Sequence, residues 1–254
     1  MPATLDLRRY VDALDAAAAQ LARSAADAGL DSPVPTCPEW RVRDLLIHQG
    51  MVHRWAADNL RGHGYGRHEQ WLAEGSATPD PLGWFEAGAE DLAQAIRTAA
   101  DDVDAIVFLH DAPPPRLFWA RRQAHETTIH GVDARSAQLG RPPTAEEVSI
   151  SPELAADGID ELLTGFLPRR KTKLHSVEPY TVVVHATDVP RDWHITVSES
   201  PPVTAHGTVS APDLNMVGSA VELYLGLWNR GDTVRIEGRT EILDQWRTDV
   251  KVLW

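Results

Sequence analysis

The sequence predicts a helical bundle followed by a smaller α+β domain. Helical apolar spacing recurs in four segments of the first 140 residues, β-branched segments that read as strands begin at Tyr180 and Trp193, and Gly140-Arg-Pro-Pro143 breaks the chain before them. That break divides the chain into a four-helix bundle over 1–142 and an α+β domain over 143–254.

Leu7, Val11, Leu14, Ala18, Leu21 and Ala25 place an amphipathic first helix over residues 5–29, ending at Gly29. The segment Asp31 to Pro38 contains three prolines and cannot continue it. Leu45, Leu46, Met51, Val52, Trp55 and Leu60 give a second helix from about Arg41 to Arg61, closed by Gly62. A connection containing glycine and histidine leads to a third helix, Pro81 to Ala100, with Leu82, Phe85, Ala89, Leu92 and Ile96 as its stripe and Asp80 as its N-cap. Pro113-Pro114-Pro115 introduces a fourth helix that runs to Leu139. Beyond Pro143 the pattern predicts a helix over 152–166 and strands at 180–187, 193–197, 203–209 and 233–237. It also predicts a helix from Leu214 to Trp228 and a last one over 240–251.

Composition excludes several functions. The formal net charge of -13 has the wrong sign for phosphate backbones or anionic lipid, so no nucleic acid partner is expected. No run approaches about 18 apolar residues and the first ten residues do not resemble a secretory signal, so no membrane partner is expected. Cys37, the single cysteine, forms no internal disulfide, and a cytoplasmic protein is the expectation. No exposed apolar stripe forces assembly, which leaves a monomer or small homo-oligomer.

Eleven histidines supply possible ligands, in two clusters: His48 and His53 on the second helix, and His125-Glu126-Thr-Thr-Ile-His130 on the fourth. Glu126 and His130, four apart, share a helix face. His125 and His130 are about 140° apart around the helix, so this is not the zinc-protease motif, and His48 and His53 diverge in the same way. His48 sits nearer the apolar face. His48, Glu126 and His130 would supply two imidazoles and a carboxylate, the donor set of an open zinc site, although Fe(II), Mn or Ni suits the same ligands. The competing reading has Arg121, Arg122 and Arg135 pairing with Glu126 and Asp133 as surface charges, and Trp40, Trp55, Trp84 and Trp119 as core. Cys37 lacks a nameable base and reads as structural.

The stretch Pro35-Thr-Cys-Pro-Glu-Trp40-Arg-Val-Arg43-Asp44-Leu-Leu-Ile-His48, with Arg122-Gln-Ala-His-Glu126-Thr-Thr-Ile-His130-Gly-Val-Asp133, resembles the mycothiol-dependent maleylpyruvate isomerase family of the DinB-like superfamily. Gly218 to Asp232 and Val234 to Gly238 are similar to that family's small C-terminal domain. His48-Gln49-Gly50 departs from the usual continuation. The resemblance implies a divalent metal, usually zinc, on His48, Glu126 and His130, and mycothiol as the thiol cosubstrate. It implies an isomerase or thiol S-transferase acting on a small electrophile. Arg230 is the candidate for holding a carboxylate of cofactor or substrate. A non-catalytic protein that binds or senses metal or thiol is the alternative.

Overall fold

Helix ends in the first half follow local capping chemistry. In the computed structural model, which describes residues 4–63 and 66–250, α1 spans Leu7–Ala28 and begins where the Asp6 carboxylate accepts the Arg9 N–H at 2.9 Å. Helix α2 spans Val42–Leu60, and Asp44 accepts the Arg41 N–H at its start. Helix α4, Pro81–Thr98, is capped by Asp80, which accepts from Gly83 N–H at 3.0 Å. Helix α5, Pro115–Leu139, starts on proline and stops at Gly140, whose φ of 70° is the left-handed conformation glycine adopts without strain.

A fifth helix stands where the sequence suggested only a connection: α3, His68–Ala77. It has no apolar stripe, and Gly75 is its one buried residue among those described. Polar and aromatic contacts hold it instead. Trp71 donates its indole N–H to Asp58 at 2.8 Å, and Trp84 on α4 donates to Glu74 at 3.1 Å. The Arg54 guanidinium lies 3.8 Å from the Trp84 ring centre. Periodicity reports burial, so a helix anchored by such contacts escapes it.

Helices α1 and α5 pack together, as do α2 and α4, around Leu21, Leu45, Leu46, Phe85 and Ala134. Every residue of α5 from Phe118 to Ala134 is buried, charged ones included. Gly50 allows Trp84 to lie against α2: a Cβ there would sit 2.7 Å from Trp84 Cε3. Gly50→Ala is therefore expected to cost about 1–3 kcal/mol through displacement of that ring, measured by urea denaturation.

The chain forms two compact units. One runs to Phe108 and resumes over Ala112–Pro143; the other comprises Leu109–Asp111 and the chain from Thr144 onward. The second unit holds α6, Pro152–Asp160, which continues as a π-helical turn over Glu161–Phe166. Its strands are β1 Tyr180–Ala186, β2 Asp192–Val197, β3 Val203–His206, β4 Leu214–Gly218 and β5 Arg235–Gly238. They form one sheet in the order β3-β2-β1-β4-β5, with β1 and β4 parallel and the other pairs antiparallel. Helices α7, Ala220–Leu227, and α8, Glu241–Asp249, complete it.

The helix expected over 214–228 is thus a strand followed by a helix. Leu214 and Met216 bury one face of β4 beside β1, and the helix begins only at Ser219, whose hydroxyl accepts from Glu222 N–H at 3.2 Å. An apolar run holding a strand, a cap and a helix has no single period.

Candidate metal centre

The candidate site lies within the helical unit, between α2 and α5. Ahead of α2 the chain folds tightly, with Val34 N–H donating to Trp40 O at 3.0 Å and Trp40 N–H to Cys37 O at 2.8 Å. This turn sets Thr36, Cys37 and Trp40 beside α5.

Nitrogens of His48 and His130 and a carboxylate oxygen of Glu126 all lie within 4.8 Å of one another. His130 Nε2 is 3.4 Å and His48 Nε2 3.8 Å from Glu126 Oε1. Glu126 is only 3% exposed, and its Oε1 makes no hydrogen bond among the described residues. A buried carboxylate oxygen facing two imidazole nitrogens fits a cation, which would bind all three. The other carboxylate oxygen, Oε2, accepts from Arg122 at 2.8 Å.

Asp133 orients the cluster from behind. Its Oδ2 accepts from His130 Nδ1 at 2.9 Å, which fixes a proton on Nδ1 and turns Nε2 toward Glu126. Thr36 donates its hydroxyl to Asp133 Oδ1 at 2.6 Å, and the Cys37 thiol lies 3.4 Å from Oδ2. The Trp40 ring, half-buried, lies 4.8 Å from His48 and 5.8 Å from His130 between ring centres, nearly parallel to the latter.

Burial lowers the His48 pKa, partly offset by the nearby Glu126 carboxylate. Burial would also lower that of His130, but the hydrogen bond to Asp133 and the neighbouring Glu126 carboxylate prevail and raise it to about 9. Burial would raise the Glu126 pKa, yet the Arg122 charge and the two imidazoles hold it well below the usual carboxylate range.

The other two histidines of these clusters face elsewhere. His53 Nε2 meets the Thr127 hydroxyl at 2.9 Å and the Gln49 amide at 2.9 Å, and its ring packs 5.4 Å from Phe85. His125 meets the edge of Tyr10. Arg230 belongs to the other unit, just past α7, where its guanidinium donates to Trp228 O at 2.9 Å. Arg122 is fully buried rather than a surface charge, because α5 is buried on every side along this stretch. The sequence pattern places Trp40 in the core, offers Asp133 only as a surface-charge partner of the arginines or the end of the family motif, and gives Thr36 no role. Asp133, three residues after His130 and on its face, is the signal that was available.

His53 makes stability depend on pH. Burial, reinforced by the Arg54 charge, lowers its pKa to about 3, against 6.5 for the free side chain. Between these values the unfolded chain binds a proton that the folded chain refuses. Its contribution is therefore intact above pH 6.5 and lost as pH falls toward 3, at no more than about 1.4 kcal/mol per pH unit. Urea midpoints across this range should fall less steeply in His53→Gln than in the unsubstituted protein.

A helical bundle with a buried cluster of two imidazoles and one carboxylate, joined to a small mixed-sheet unit, defines a class of two-unit proteins with a candidate metal centre. The sequence profile of the mycothiol maleylpyruvate isomerase N-terminal domain matches residues 11–135, and that of the family's C-terminal domain matches residues 153–245. The chain belongs to this family. Crystal structures of the mycothiol-dependent maleylpyruvate isomerase and of a His-to-Ala mutant of it superpose with a TM-score of 0.60 at 16% identity, covering 92% of this chain and 93% of theirs. At that identity the likeness establishes the fold. No match is found among curated proteins.

Proposed function

We propose that the protein is an enzyme that holds a divalent cation, zinc first among the options, on His48, Glu126 and His130, and uses mycothiol as its thiol cosubstrate. The observation that carries this reading is Glu126 Oε1, a buried oxygen with no hydrogen bond among the described residues, which faces two imidazole nitrogens. Two nitrogens and one oxygen suit zinc and leave a position for a further ligand. When bound, such a cation acidifies a coordinating thiol, and the thiolate is the nucleophile. The chain supplies no cysteine to the ligand set, in keeping with sulfur that arrives on a cosubstrate.

The remaining roles fall to the chain's own residues. Asp133 keeps His130 in its ligating tautomer, Trp40 shields one side of both imidazoles, and Arg122 holds the second oxygen of Glu126. Arg230 is the candidate for a carboxylate of cofactor or substrate. The substrate is a small electrophile, turned over either by isomerisation, as the name of the structural relatives suggests, or by thiol S-transfer.

Metal-loaded protein incubated with mycothiol and maleylpyruvate, and separately with model electrophiles, tests this. Turnover that needs both metal and mycothiol is expected, and it should vanish in His48→Ala. Saturable mycothiol binding with no turnover of any electrophile would turn the assignment to a binding protein.

A further inference from the structure

The fold treats the two oxygens of Glu126 differently. Oε2 is 2.8 Å from an Arg122 guanidinium nitrogen one turn earlier on α5, with 0% and 3% of the two side chains exposed. Oε1 faces the two imidazoles. We propose that Arg122 is a positioning residue that confines Glu126 to a single cation-facing oxygen and thereby keeps a coordination position open for the thiol. This rests on the metal and thiol reading above and specifies how that site stays open.

A free carboxylate can chelate through both oxygens or bind through one. Chelation here would require Oε2 to turn toward the imidazoles, parting a fully buried guanidinium from its carboxylate. With Arg122 in place the chain offers three donors, the number found in catalytic zinc sites. With both oxygens engaged it would offer four, and a water or thiol could enter only as a fifth ligand. The guanidinium also offsets the charge of Glu126, so less negative charge from the chain competes with an incoming thiolate. Both effects act in the same direction. Lysine offers Oε2 one charged donor, whereas methionine fills similar volume with none.

Cobalt(II) is the probe, added to the full chain and to its Arg122→Met and Arg122→Lys variants, because its visible absorption is intense in four-coordinate sites and much weaker in five-coordinate ones. The unsubstituted protein should give the intense spectrum and, on addition of N-acetylcysteine, a sulfur-to-cobalt charge-transfer band. Arg122→Met should still bind cobalt but give the weaker spectrum, with thiol affinity at least about tenfold lower. Arg122→Lys should restore both. An Arg122→Met protein with unchanged spectrum and thiol affinity would overturn the proposal. Should that variant fail to fold, a crystal structure of the cobalt-loaded unsubstituted protein decides: one Glu126 oxygen at bonding distance supports it, and two overturn it alone. If the unsubstituted protein takes up no cobalt, the metal reading itself falls as well.

Discussion

Asp133→Ala is expected to weaken cation binding by roughly 10–100-fold, read by competition with a chelator of known affinity. Asp133 is fully buried and joins two parts of the chain: it accepts from His130 Nδ1 on its own helix and from Thr36 in the turn before α2. Removing the carboxylate frees the imidazole to rotate and to carry its proton on Nε2, where the lone pair is needed. It also strands the buried Nδ1–H, which costs about 1–3 kcal/mol of folding stability in the metal-free protein. Asp133→Asn keeps the shape and an acceptor oxygen but not the charge, so its affinity should fall between those of the other two proteins. Equal affinity in all three would mean that Asp133 serves packing alone.

Glu126→Ala should have the larger effect. It removes the oxygen shared by both imidazoles and takes one carboxylate partner away from the buried Arg122. Breaking a buried ion pair by deleting one partner typically costs about 3–5 kcal/mol, which chemical denaturation of the metal-free protein would register. A second signature comes from linkage. A cation that binds only the folded state adds about 4 kcal/mol when its free concentration is a thousand times the Kd. A chelator should therefore lower the melting temperature of the metal-loaded unsubstituted protein and leave that of Glu126→Ala unmoved. A chelator shift of the same size in both would place the cation elsewhere.

The clustering of His48, Glu126 and His130 was legible because it obeys helix arithmetic. Glu126 and His130 are one turn apart, while the five-residue spacings of His48–His53 and His125–His130 allow only one of each pair to face the centre, and the folded chain sends His53 and His125 to other neighbours. What surrounds the cluster was less legible. Thr36, Cys37 and Trp40 reach the site through a turn rather than a periodic element, so no spacing rule links them to α5. Arg122 looked like a surface charge because arginine rarely lies fully buried, and nothing local in α5 announces that its stretch from Phe118 to Ala134 is enclosed. The same limit explains α3, held by Trp71 and Trp84 without an apolar face, and β4, hidden in an apolar run that continues into α7.

The central claim, that His48, Glu126 and His130 hold one divalent cation, is tested most directly by the metal content of the untagged protein purified without added metal. The same measurement is made on the His48→Ala, Glu126→Ala and His130→Ala variants. About one equivalent, zinc by preference, that is lost in each of the three folded variants is the predicted result. A folded protein that carries no cation and takes up none when zinc is supplied, or one whose cation survives all three substitutions, would contradict it.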